Sequence, residues 1–166
     1  MTKLKTIHLL RHGKSSWQNA NIRDKQRPLN QRGIRSCSIM AAHLASLGLS
    51  FEHIYCSSAV RAQSTIELIN EHWPQQNLHW KVDEALYTFS SRDLLHWCRQ
   101  LPESITEILI IGHNPGFTDF CNQLSNASID NILTCGYVQM HCDVQTWSEL
   151  ATHCATLQQY ISPKML

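Results

Sequence analysis

The 166-residue chain has no C-x-x-C pair, no H-E-x-x-H and no G-x-x-x-x-G-K-[ST]. The first absence argues against a zinc ribbon or a thioredoxin-type redox pair, the second against a helical zinc site, the third against a P-loop nucleotide enzyme. Seven cysteines are scattered through it, at 37, 56, 98, 121, 135, 142 and 154. Odd in number and often set in apolar stretches, they read as small buried hydrophobes in a reducing compartment. The ten histidines lack metal-site spacing, so neither a metal nor a cofactor is expected. His43, His53, His72, His79, His96 and His153 read as surface or partly buried residues without a chemical role.

Charge is equally sparse. A formal balance of +1 argues for neither a nucleic-acid groove nor an acidic tail. The tryptophans at 17, 73, 80, 97 and 147 have no basic clusters around them and read as core or rim rather than a stacking platform. No apolar run approaches bilayer length, and Met1–Lys5 leads toward a strand without a signal-peptide core. A soluble cytoplasmic protein with no nucleic-acid or membrane partner is expected; oligomeric state is not legible. Repeats, low-complexity tracts and Gly/Ser linkers are missing too. The 43% hydrophobic content is enough for one core, so residues 1–166 are expected to form a single domain.

What is present alternates between strand and helix. Thr6–Leu10 reads as a buried strand. Asn30–Leu47 reads as a helix, with Asn30 as N-cap, Cys37, Met40, Ala41, Leu44 and Leu47 at helical spacing, and Gly48 as its stop. His53–Cys56, Leu78–Val82, Ile108–Ile111 and Tyr137–Cys142 follow as strands. Val60–His72 (closed by Pro74), Arg92–Leu101 (closed by Pro102) and Gly116–Leu124 follow as helices. Ala155–Ile161 fits either a strand or a helix. Such alternation implies a mostly parallel sheet covered on both faces, with ligands at the carboxyl ends of its strands.

Three polar segments fall at those ends. Arg11-His12-Gly13 follows the first strand. Ser57-Ser58 follows the second and leads into the helix carrying Arg61. Gly112-His113-Asn114-Pro115-Gly116 follows the apolar strand Ile108–Ile111. If they converge, Arg11 and Arg61 make an anion site whose fork geometry suits phosphate oxygens. Their charge also disfavours a proton on a nearby imidazole, keeping it nucleophilic. Attack of a ring nitrogen on phosphorus would give a phosphohistidine for water to hydrolyse. Arg11, Arg61 and His113 would hold the developing charge, and the turn at Pro115-Gly116 could add backbone N–H donors. His8, inside the first strand, reads as packed or hydrogen-bonded rather than catalytic. Arg35 and Arg99 read as solvated.

Those segments, with Arg27-Pro28-Leu29-Asn30-Gln31-Arg32-Gly33 and Leu9 through Trp17, resemble the histidine phosphatase superfamily, also called the phosphoglycerate-mutase-like fold. The likeness is closer to its short bacterial phosphohistidine phosphatase branch and runs over nearly the whole chain. It implies an α/β protein, a three-layer α/β/α sandwich with a mostly parallel central sheet, working without a metal. It implies His12 as the phosphorylated nucleophile, with Arg11, Arg61 and His113 completing the phosphate pocket. Gly13 and Asn114 are further candidate phosphate contacts.

The chain departs from the family where many members carry a glutamate after a Leu-Tyr pair. Here Thr88 follows Leu86-Tyr87. Asp24 is the substitute candidate for the proton donor, with Glu84 a weaker one whose bland reading as a loop carboxylate is favoured. An alkoxide leaving group gains ~10²–10⁴-fold from a general acid, whereas the nitrogen of a phosphohistidine leaves more readily. Weak acid assistance and little chain for a lid therefore favour a phosphorylated protein as substrate, a histidine-containing phosphotransfer domain being one candidate. The alternatives are a phosphomonoesterase acting on a small phosphate ester and a phosphate-binding interaction module without turnover.

Overall fold

The computed structural model describes residues 4–73 and 75–166. Met1–Lys3, ahead of the first strand, and the helix stop expected at Pro74 lie outside the described residues. The elements run β1 (Lys5–Arg11), α1 (Gln31–Ser46), β2 (Ile54–Ser57), α2 (Val60–Glu71), β3 (Trp80–Asp83), α3 (Ser91–Arg99), β4 (Glu107–Gly112), α4 (Gly116–Leu124), β5 (Tyr137–Cys142) and β6 (Ala155–Ile161). The strands form one six-stranded sheet in the order β3-β2-β4-β1-β5-β6. β1 with β4, β2 with β4 and β2 with β3 pair in parallel, while β5 runs antiparallel to both β1 and β6.

Side chains alternate across the sheet because successive residues of a strand face opposite ways. Ile7 and Leu9 of β1 and Ile108 and Ile110 of β4 join the core under α3 and α4. Leu10, Leu109 and Ile111 join the core under α1 and α2. The result is the expected three-layer α/β/α sandwich with a mostly parallel sheet. In α1, Cys37, Met40, Ala41 and Leu44 are fully buried; side chains of Met and Leu size contribute about 1.5–3 kcal/mol each. Most elements shift by one or two residues at their edges. The third strand begins at Trp80 because the Leu78 N–H is taken by Asn70 Oδ1 instead of a ladder partner. The ambiguous last segment is a strand, partly buried and exposed residues alternating over 155–158 and its last three residues all partly buried.

Strand order is what builds the site. The chain passes from β1 through α1 to β2, beyond the place that β4 later takes between them. The carboxyl ends of β1, β4 and β2 therefore stand side by side, on strands about 4.8 Å apart. His12, His113 and Ser57-Ser58 project from three neighbouring strand ends.

Candidate active site

His12 is the residue after β1, and its backbone is tied on both sides. Its N–H donates to Gly112 O (3.1 Å), and its carbonyl accepts from Cys135 N–H (3.0 Å). Its ring Nδ1 lies 2.7 Å from the Gly13 carbonyl oxygen. A carbonyl only accepts, so Nδ1 carries the proton and Nε2 is the unprotonated nitrogen. Its lone pair accepts a long hydrogen bond from the Arg61 Nε–H (3.3 Å). The Gly13 N–H donates to Thr65 Oγ1 (3.0 Å), whose hydroxyl donates to the Arg61 carbonyl (2.7 Å). The nucleophile's loop and the arginine's helix are thus bolted together.

The segment from Arg27 to Gly33 clamps the same loop from outside. Asn30 caps α1 by accepting from Gly33 N–H (2.8 Å), and its own N–H donates to Lys14 O (2.9 Å). A Cβ on Gly33 would fall 2.3 Å from the Lys14 carbonyl oxygen, a position only glycine can fill. Arg27, buried, donates to Ser15 Oγ and to Ser16 O, and stacks 3.3 Å from the ring centre of the exposed Trp17.

His113 follows β4, its ring centre 5.1 Å from that of His12 and tilted 52° to it. Its Nε2 lies 2.7 Å from Ser57 Oγ, which also accepts the Ala59 N–H (3.2 Å). With one lone pair so used, the Ser57 hydroxyl can donate to Nε2, leaving the His113 proton on Nδ1. That Nδ1 is buried and has no hydrogen-bond partner among the described residues. Tyr87 and Phe89 pack against the ring at 5.5 and 5.3 Å.

Burial is the main force on both imidazoles. It drives His12 down to about 3, against the opposing pull of the Gly13 carbonyl and with help from His113, Arg61 and Arg11. It drives His113 to about 3 as well, aided by Arg61 and Arg11 and opposed by Asp24. Both rings are neutral at pH 7 in the free protein.

The two expected arginines differ in how they are held. Arg11 donates Nη1 to Ile132 O (2.7 Å), while its buried Nε has no partner among the described residues. Arg61, 3% exposed, donates Nη1 to the Asp24 carbonyl (2.6 Å) and Nη2 to Asp24 Oδ2 (3.0 Å). Asp24 sits on a single 3₁₀ turn and also takes a hydrogen bond from Tyr87 Oη (2.6 Å) and one from Arg27 Nη1 (3.0 Å). Partial burial pushes its carboxyl up, but the bonds from Tyr87 and Arg61, Arg61's charge and the bond from Arg27 outweigh it and hold the group near about 2. His12, Arg11, Arg61, Asp24 and Phe89 line one open cavity of about 310 Å³.

Other expectations are corrected. The Gly13 N–H is spent on Thr65, so this residue orients the His12 ring through its carbonyl rather than binding phosphate. Asn114 lines the cavity, but its Nδ2 donates to Asn131 Oδ1 (2.8 Å) and Ile132 O (2.9 Å), and its Oδ1 accepts from Thr118 N–H and Oγ1. Its four hydrogen-bonding places are filled, and it braces two loops instead of contacting phosphate. In the turn beside it, Pro115 has no N–H and the Phe117 and Thr118 N–H groups go to the His113 carbonyl and Asn114, so an anion donor from this turn falls to Gly116. Glu84 is exposed and paired with Lys25, which lowers its carboxyl. Thr88 caps the start of α3 through Ser90 N–H and Asp93. Arg99 is held by the Leu150 carbonyl, not merely solvated.

His8 is a hydrogen-bonded core residue, between Tyr137 Oη (2.6 Å) and Glu107 Oε2 (2.5 Å). Six of the cysteines are buried and Cys154 partly so. Among the described residues, no cluster of three or more His, Cys, Asp or Glu could hold a metal ion, and no helix is long and apolar enough to cross a membrane. Sequence reasoning leaves Ser57, Thr65 and Tyr87 without roles; Ser57 and Thr65 bound the segment around Arg61 and Tyr87 lies in the Leu86-Tyr87 pair, but nothing local says what their hydroxyls contact.

The family model of the histidine phosphatase superfamily (branch 1) matches residues 7–93, just over half of the chain. An uncharacterized chloroplastic protein of Arabidopsis thaliana is 28% identical over 151 residues, covering 85% of this chain and 68% of that protein. A 2,3-bisphosphoglycerate-dependent phosphoglycerate mutase of Rhizobium etli is 37% identical over 83 residues, covering 49% of this chain but only 39% of the mutase. A solved structure of the protein histidine phosphatase SixA complexed with tungstate superposes with a TM-score of 0.78 at 21% identity, covering 96% of this chain and 97% of that one.

Proposed function

We propose that this chain, which belongs to the histidine phosphatase superfamily, is a protein phosphohistidine phosphatase working through a phosphoryl group on its own histidine. The observation that carries the reaction class is the His12 ring: Nδ1–H fixed on the Gly13 carbonyl, Nε2 unprotonated and beside Arg61.

In the first step the Nε2 lone pair attacks phosphorus. The bond to the leaving atom breaks, and that atom departs with its electron pair and takes up a proton. In the second step a water oxygen attacks the phosphoryl group, the Nε2–P bond breaks, and the pair returns to Nε2 as water gives up its proton. Arg61, the unpartnered Nε of Arg11 and the unpartnered Nδ1 of His113, next to the cavity at His12, are the groups that would meet the charge collecting on the peripheral oxygens. Fixed donors of this kind need no rearrangement as the charge develops.

The substrate reading rests on Asp24. A carboxyl held near about 2 by Tyr87, Arg61 and Arg27 is ionised before substrate arrives and is a poor proton donor for an alkoxide. A phosphohistidine leaving group needs less help, since its second ring nitrogen can take a proton from solvent near neutral pH before the P–N bond breaks. The open cavity also supports a side chain presented by another protein, and the chain between Arg61 and Tyr87 is taken up by α2, edge strand β3 and a 3₁₀ turn rather than a lid. A small-molecule phosphomonoesterase remains the second reading, favoured by Asp24 lying within the same cavity. Turnover of a phosphohistidine protein and of sugar, nucleotide and glycerol phosphates at matched concentrations tests the choice. Faster turnover of the protein is expected; equal or reversed preference would overturn the substrate assignment and leave the reaction class.

A further inference from the structure

A second cavity of about 300 Å³ opens beside the catalytic one and shares Arg11, Lys14 and Thr134 with it. Its walls come from the first turns of α1, the loop at 131–134 and the chain end at 162–164. Arg11, Lys14, Arg32 and Lys164 line it, and no Asp or Glu does. Among the described residues, Lys14, Arg32 and Lys164 enter no ion pair. The chain as a whole is almost neutral, so general basicity does not explain four cations around one hollow. Like charges so gathered repel one another unless an anion sits among them.

A buried group marks the hollow as built for a ligand. Ser162 borders it and is fully buried, yet its hydroxyl has no hydrogen-bond partner among the described residues. Buried polar groups left so are uncommon, because each costs free energy until something satisfies it. An anion accepts from a hydroxyl, and the guanidinium fork of Arg32 suits a carboxylate.

We propose that this cavity is a second anion site that receives a carboxylate side chain of the phosphorylated partner while the phosphoryl group occupies the site at His12. The inference rests on the protein phosphohistidine reading and deepens it: the substrate carries acidic residues beside its phosphohistidine. The far rim of the catalytic cavity fits a protein surface too, with Trp17 largely and Phe89 partly exposed there, aromatics being enriched where proteins meet.

The test uses two phosphohistidine peptides of one sequence, flanked by glutamates in one and glutamines in the other. Turnover is measured on the wild type and on the Arg32→Gln, Lys164→Gln double variant, neither residue being part of the phosphate machinery. Binding is measured separately by calorimetry on His12→Ala. The wild type should show a KM about 5-fold lower for the acidic peptide, in line with partly exposed charge pairs. That preference should shrink with added salt. The double variant should lose it, with kcat and the KM of the neutral peptide unchanged. Equal KM values in the wild type, or a preference that survives in the double variant, would overturn the second site. A binding preference on His12→Ala, with no turnover of either peptide by the wild type, would support the second site while refuting phosphohistidine hydrolysis. Preference for 3-phosphoglycerate over glycerol 3-phosphate, with none between the peptides, would overturn the acidic-protein ligand in favour of a small anionic one.

Discussion

The Arg61 guanidinium stands 3.3 Å from Nε2 of His12 and at the same time grips the carboxylate and carbonyl of Asp24. One cation therefore helps burial keep the nucleophile unprotonated and, with Tyr87 and Arg27, keeps Asp24 ionised. Replacing it with alanine should raise the pKa of His12 and of Asp24 together, since it lowers both. Removal of a transition-state donor of this kind costs about 10²–10³-fold in kcat. NMR titration of the two groups, alongside kcat, checks the paired shift. Opposite or absent shifts would separate the two residues.

Neutrality of the buried rings is directly visible. His12 and His113, each near about 3, should show flat ring-proton shifts from pH 8 to 5. A midpoint above 6 for His12 would contradict the burial argument.

The same shifts fix the sign of the pH dependence of stability. Each folded-state value lies below the ordinary 6.5, so between about 6.5 and about 3 the unfolded chain binds more protons than the folded one. Stability contributed by these rings is present above pH 6.5 and drains away as pH falls through that window. Urea midpoints should drop over it, and His113→Gln should flatten the slope. A midpoint that rose on acidification would have the wrong sign.

Gly33→Ala forces a Cβ to within 2.3 Å of the Lys14 carbonyl oxygen. Overpacking against backbone costs about 1–3 kcal/mol. Thermal unfolding should register that loss, and kcat should fall as well because the displaced loop carries His12. An unchanged melting temperature would mean that the clamp yields freely.

Asp24→Asn tests the acid. Hydrolysis of a phosphate monoester should slow more than that of phosphohistidine, whose leaving group needs less assistance, but by less than the ~10²–10⁴-fold of an efficient general acid because the carboxyl is held ionised. Equal slowing of both would remove Asp24 from proton donation and leave it as the anchor of Arg61.

Much of this was legible in the sequence because it is local. Strand-end segments such as Arg11-His12 and Gly112-His113 announce themselves by an apolar run that stops at polar residues, and Asn30 announces a cap. Convergence followed from the alternation of strands and helices, although the insertion of β4 between β1 and β2 needed the structure. Hydrogen-bond accounting was out of reach. Asn114 and Gly13 look like phosphate contacts by position, yet their donors are consumed by partners far along the chain, Ile132 and Thr65 among them. Tyr87 and Thr65 were hidden for the same reason, since each acts on a residue remote in sequence. The cavity lined by Arg32 and Lys164 joins the start of α1 to the chain end, a juxtaposition no local pattern encodes.

Trapping the covalent intermediate bears most directly on the reaction. The protein is mixed with a radiolabelled phosphohistidine substrate, quenched in alkali, where phosphohistidine survives, and mapped by proteolysis. Label on the peptide containing His12, absent from His12→Ala and retained longer in His113→Gln, is the expected result. Label on another residue, or turnover by His12→Ala at the wild-type rate, would contradict it.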